Sequence, residues 1–340
     1  MLRREGDGVR HWQEQRAMRG WEVFPPHTAA TWLMPGDPAS VAPRVREVVD
    51  AFEREAFLGP LGVHRSGTNV YFDWQHDSGR WTQERYDRHL ARLAEPDADG
   101  AELAWNLADE ERPADDRTNW HISLSVKAVE PDNRWWEWRL KEEAPPFAGA
   151  YLDAMADACL RVLTLAGSWP EVTWGAVLRD HFGATDDPPY EQYFALTTPA
   201  PRTALVTRGY YWANLLTSGH TDAYGGAEAL RSRCEAAGAR LDPVPGRTDA
   251  VIVRSPLPLS GLDDAQLALL REALAPVTPV VPYRYYAGPP LRVLKEPGTA
   301  FRRIPPEIDF PWFEDDGELT PDMGTARQLV PDEDERGRTR

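Results

Sequence analysis

Few side chains in this sequence are spaced as chemistry would require, and those few gather in one stretch. YFDWQHD carries Asp73, His76 and Asp77 within five residues, and His121 opens a later apolar segment. Carboxylates and imidazoles converging on one point could hold a metal ion or run acid–base hydrolysis. On an extended strand, however, Asp73 and His76 are three apart and leave opposite faces, so the stretch reads as polar turn and surface. LLTSGHTD puts Ser218 near His220, but a Gly-x-Ser-x-Gly elbow is missing, and a triad is a relation in space. AYGGAE has two glycines ahead of a helix, without the lysine and spacing of a phosphate loop. With 54 Asp and Glu, no carboxylate pair stands out for glycosidic chemistry. These patterns predict no catalytic residue, no cofactor and no metal. A hydrolase using Asp73, His76 and His121 is the alternative reading. Another is a structural or assembly subunit that clasps its neighbours with terminal extensions.

The elements that would position these groups show in the periodicity. Residues 40–57 read as a helix with Val45, Val48, Val49 and Phe52 at spacings of three and four. Residues 80–94 read as a second, with Tyr86, Leu90 and Leu93 on one face. Residues 145–167 carry a broad apolar stripe from Phe147 to Leu165 that Gly167 ends. A helix follows Gly226 and is expected to bury Ala227, Leu230, Cys234 and Ala237. Ser260 and Asp263 read as a capping box that opens a helix with Leu267, Leu270 and Leu274.

Strands are expected at 69–75, 120–129, 134–140, around 172–178 and at 249–255. The stretches 27–40 and 95–118 read as loops, because Pro, Gly and Asp punctuate them. The pattern predicts an α+β fold, antiparallel sheets covered by helices, with two similar strand–helix–strand halves as an option. Residues 1–40 read as an N-terminal extension. Residues 41–280 read as one domain, divisible at 140, and residues 281–340 as a Pro-rich acidic extension.

Composition narrows the function. The chain has 340 residues, 14 Trp, 11 Tyr and 10 Phe, which excludes a disordered chain. Its net charge of -16 repels phosphate backbones and excludes general nucleic-acid binding. No apolar run approaches the length of a membrane span, and the charged N-terminus lacks a secretory h-region, so a cytoplasmic protein is expected. Cys159 and Cys234 are expected as buried free thiols. Residues 305–340 hold eleven acids and four Arg, a run that reads as a solvated extension or a docking arm. Trp135, Trp136 and Trp138 alternate, so one face packs in the core while Trp135 points the other way. Tyr211 has the same two readings. Large rings beside acids suit a protein-binding patch, which makes Trp135, Tyr211, Glu314, Asp315 and Asp316 the candidate partner-binding residues.

Residues 205–280 resemble the C-terminal half of a bacterial immunity family found beside toxins of type VI secretion and other polymorphic toxin systems. Tyr211, Trp212, Leu215, Gly225, Gly226 and Leu230, in GYYWANLLTSGHTDAYGGAEAL, carry the resemblance. It implies a protein that binds and neutralises a cognate toxin by occlusion, without catalysis. The charge fits independently: a basic toxin domain as partner would gain association rate from a negative field.

Overall fold

The computed structural model describes residues 26–54, 63–72, 75–107, 121–130, 135–143, 150–181, 200–262 and 264–278. Strand β1 (Pro26–Pro35) leads into helix α1 (Pro38–Phe52). The strands β2 (Val63–Phe72) and β3 (Gln75–Arg80) pair as a hairpin, and α2 (Gln83–Leu93) crosses to β4 (Ala98–Leu107). After β5 (His121–Glu130) and β6 (Trp135–Glu143) come α3 (Ala150–Gly167) and β7 (Trp174–His181). The last described elements are β8 (Ala213–Leu216), α4 (Ser218–Ala223), α5 (Ala227–Ala236), β9 (Arg240–Pro243), β10 (Val251–Arg254) and α6 (Asp264–Leu274). The ten described strands form one antiparallel sheet in the order β3-β2-β4-β5-β6-β1-β7-β8-β10-β9. This is the expected α+β class.

The first strand corrects the sequence reading most. Residues 27–40, read as a loop inside an N-terminal extension, form β1 and the start of α1. β1 lies mid-sheet between β6 and β7. Both its faces are covered: Ala30, Trp32 and Met34 are buried on one and Ala29, Thr31 and Leu33 on the other. A strand buried twice shows no alternation, so the usual signal is missing. Residues 98–107, also read as loop, form β4, which buries Ala101, Leu103 and Trp105 on one face. The segments around α2 and α5 differ in order. In the first, a hairpin (β2, β3) precedes the helix and the single strand β4. In the second, the single strand β8 precedes the helices and a hairpin (β9, β10).

The helices form where caps and periodicity agree. The Asp37 carboxylate accepts from the Ser40 amide at 2.8 Å to start α1, and Thr82 accepts from the Arg85 amide to start α2. α1 buries Val41, Val45, Val48, Val49 and Phe52, while α2 buries Tyr86, His89, Leu90 and Leu93. The Ser260 capping box is a correction. The Ser260 amide and hydroxyl both donate to Asp153 on α3, at 2.8 and 2.6 Å, so the serine links two distant segments. Ala227 is exposed, whereas Leu230, Cys234 and Ala237 are buried as expected.

On the helix-covered face, Trp32 of β1 stacks on Trp138 of β6 with centroids 5.4 Å apart, and Trp169 after α3 packs against both rings. α3 comes so close to β7 that a Cβ on Gly175 would lie 2.5 Å from Leu163 Cδ1 and 2.9 Å from the Thr31 carbonyl. Gly175→Ala is therefore expected to lower the unfolding free energy by roughly 1–3 kcal/mol, read by urea denaturation. Unchanged stability would mean that α3 does not bear on β7 as closely as this.

Candidate functional site

The sheet face opposite Trp32, Trp136 and Trp138 carries the polar groups of β6. β6 alternates Trp136, Trp138 and Leu140 on the core side with Glu137, Arg139 and Lys141 on the other. Register extends this face in rows across the strands. Asn69, Glu102, Ser125, Arg139 and Thr31 are level on β2, β4, β5, β6 and β1. Tyr71, Gly100, Lys127, Glu137 and Leu33 form the next row.

Near β1 this face is covered by the stretch after the 3-10 turn Ala200–Ala204, and Arg208 from that stretch reaches Glu137. The Glu137 carboxylate accepts from Arg208 at 3.0 Å and from Arg139 at 2.7 Å, with both guanidiniums buried. Burial alone would push the Glu137 carboxyl up. The guanidiniums of Arg139 and Arg208, with the Lys127 ammonium, outweigh burial and hold it below the usual range. A carboxylate committed to two cations is a poor general base, and its work is to fix the covering stretch to the sheet. Toward β2 the face turns outward: Tyr71 donates to Glu102 at 3.0 Å, and Lys127 is exposed.

The proposed hydrolase set does not assemble. Asp73 lies outside the described residues. His76 on β3 is exposed and level with Lys127 on β5, by way of Tyr71 and Gly100. His121 is six residues from Lys127, which separates the two histidines by roughly 20 Å along the strands. Asp77 instead pairs with His89, a residue that helix periodicity files as one more position on a buried face. Thr68 Oγ1 is 3.0 Å from His89 Nδ1, and His89 Nε2 is 3.0 Å from Asp77 Oδ2. The His89 hydrogen bond, with Arg85 and Arg88 nearby, holds the Asp77 carboxyl below its usual range.

Hydroxyl, imidazole and carboxylate in line have the order of a nucleophile, its base and an orienting acid, but the exposure is inverted. Thr68 is 4% exposed beneath α2, while the Asp77 carboxylate is the open end. A nucleophile must meet substrate and its orienting acid is buried, so this chain ties α2 to the β2–β3 hairpin.

The Ser218–His220 pair does not assemble either. Ser218 is exposed while His220 is fully buried, and His220 bonds to Thr217 instead. Both cysteines are buried thiols outside any disulfide, as expected, and burial pushes the Cys234 thiol up to about 11. Among the described residues, no group of three or more His, Cys, Asp or Glu is placed to hold a metal ion. No described helix is long and apolar enough to cross a membrane.

The residues that carry the resemblance are framework. Tyr211 is wholly buried and its hydroxyl donates to the Arg208 carbonyl at 3.1 Å, so it is unavailable to a partner, contrary to expectation. Trp212 donates to the Leu257 carbonyl at 2.8 Å. Leu215 and Leu230 are core residues. Gly225 and Gly226 have φ of 84° and 113°, the left-handed backbone that lets the chain turn into α5. The working residue of the motif is Asn214, wholly buried. It accepts from the Tyr211 amide at 3.0 Å and donates to the Tyr211 carbonyl at 2.7 Å. Trp135 is half-buried against the core, whereas Glu314, Asp315 and Asp316 lie outside the described residues.

Among solved structures, the Pseudomonas aeruginosa T6SS protein PA0821 has a likeness to this fold, with a TM-score of 0.49 and 15% identity over 76% of this chain and 75% of that one. A likeness of that size says nothing about what this chain binds. No protein-family model and no curated protein matches the chain.

Proposed function

We propose that this chain is an immunity-type protein that binds a basic toxin domain in the cytoplasm and neutralises it by occlusion, without chemistry of its own. One observation carries the reading, the net charge of -16, which attracts a basic protein and speeds encounter with it. The resemblance of residues 205–280 to an immunity family points the same way. So does the commitment of Glu137, His89 and His220 to internal bonds.

The test is co-expression with the protein encoded next to this chain, followed by binding kinetics on the purified pair. Growth arrest by the neighbour alone, relieved by this chain, is the expected result. Reversing charge at Glu95, Asp97 and Asp99, all exposed, or at Glu314, Asp315 and Asp316 should lower the association rate roughly tenfold at low salt and much less at high salt. Rates unchanged by both reversals would remove electrostatic docking at these segments. A neighbour that neither arrests growth nor binds would remove the reading itself.

A further inference from the structure

We propose that the α4 corner is an acid-sensitive latch, in which protonation of the buried His220 ring breaks the bond holding the start of α4 against the sheet. His220 is fully buried. Its Nδ1 accepts from the Thr217 amide at 3.1 Å, one of the N–H groups that a helix start leaves without a helical partner. The Thr217 hydroxyl donates to the carbonyl of Thr173, the residue before β7, at 3.2 Å. On its other side the corner presses on the 3-10 turn: a Cβ on Gly219 would lie 2.2 Å from the Ala204 carbonyl oxygen. The imidazole's bond to Thr217 thus sits where α4, the entry to β7 and the 3-10 turn meet.

An accepting Nδ1 fixes the neutral ring with its proton on Nε2. The Val206 and Thr203 carbonyls favour a proton there, without meeting the geometry of a bond. A protonated ring has two N–H donors and no acceptor, so the charged ring and the bond from the Thr217 amide exclude each other; the Thr217 hydroxyl oxygen, 3.2 Å from Nδ1, can accept from the charged ring but does not restore the amide's bond.

No other ionisable side chain described on the elements packed against α4 bonds to the ring. β8 has no ionisable side chain. Arg202 on the 3-10 turn, Asp222 on α4 and Glu228, Arg231, Arg233 and Glu235 on α5 are all exposed, and none bonds to the imidazole. Tyr224 and Cys234, raised by burial, stay neutral in acid.

Burial is the main cause that lowers the ring's pKa from 6.5 to about 4. The closed corner therefore binds fewer protons than the opened one, and closure is fully favoured above pH 6.5. It weakens tenfold per unit as pH falls toward 4, about 300-fold in all.

Hydrogen exchange on the full chain between pH 7.5 and 4.5, corrected for intrinsic rates, reads this directly. The α4 amides, including Thr221, should lose protection by roughly tenfold per unit below pH 6.5, beyond any change in β5 and β6. His220→Gln keeps an acceptor for the Thr217 amide, the usual partner in a capping box, and does not titrate. Its α4 protection should match the parent at pH 7.5 and lack the extra fall. An equal fall in His220→Gln, or no extra fall in the parent, overturns the latch. Should that variant not fold, nitrogen NMR of the parent decides. A neutral ring with a bare Nδ1 at pH 5.5 is expected, and an imidazolium there overturns the proposal.

Discussion

Glu137→Ala should lower the unfolding free energy by about 3–5 kcal/mol, the largest loss expected from any single charged residue. The carboxylate lies between two buried guanidiniums on different segments, Arg139 in β6 and Arg208 after the 3-10 turn. Removing it takes the same buried anionic partner from both arginines, in a medium that screens charge poorly. Breaking a buried ion pair costs more than replacing it whole. A variant with Glu137, Arg139 and Arg208 all changed to Leu or Met should therefore lose less than Glu137→Ala alone. Urea denaturation of the two variants checks this. A loss below about 1 kcal/mol for the single change would show that the three groups do not depend on one another.

Trp138→Ala should cost a similar amount, about 3–5 kcal/mol, by leaving a cavity where β1, β6 and α3 meet. Trp138 is wholly buried and stacked on Trp32, with Trp169 against both. Its indole N–H has no hydrogen-bond partner. Trp138→Phe therefore gives up ring volume but also removes an unsatisfied donor, which costs about 1–3 kcal/mol when buried. The two effects oppose each other, and the Phe variant should lie within about 1 kcal/mol of the parent. Trp136 is the control, because its N–H donates to the Gly36 carbonyl at 3.0 Å. Trp136→Phe should be the more damaging of the two Phe changes. Equal losses at 136 and 138 would refute the role assigned to the unpaired N–H.

Much of the fold was legible where one face of an element meets the core and the other meets water. The β5–β6 hairpin, α1, α2 and the stripe of α3 appear in the structure close to where periodicity puts them. β4 was hidden although AELAW alternates, because acids and turn formers surround it. The candidate site was less legible. Asp73, His76 and His121 drew notice as residue types, whereas the structure shows a bond to imidazole at Asp77. Its imidazole is His89, in the helix that follows.

From the order of residues alone follow the acidic surplus, the α+β class and the buried thiols, because each depends on composition or on contacts a few residues apart. Tertiary structure alone decided that β1 sits mid-sheet, that Tyr211 faces inward, that Ser260 serves Asp153 and that Glu137 answers two arginines. Partners such as Glu137 and Arg208, or Ser260 and Asp153, are joined across 71 and 107 residues, and no local period carries a distance that only packing creates.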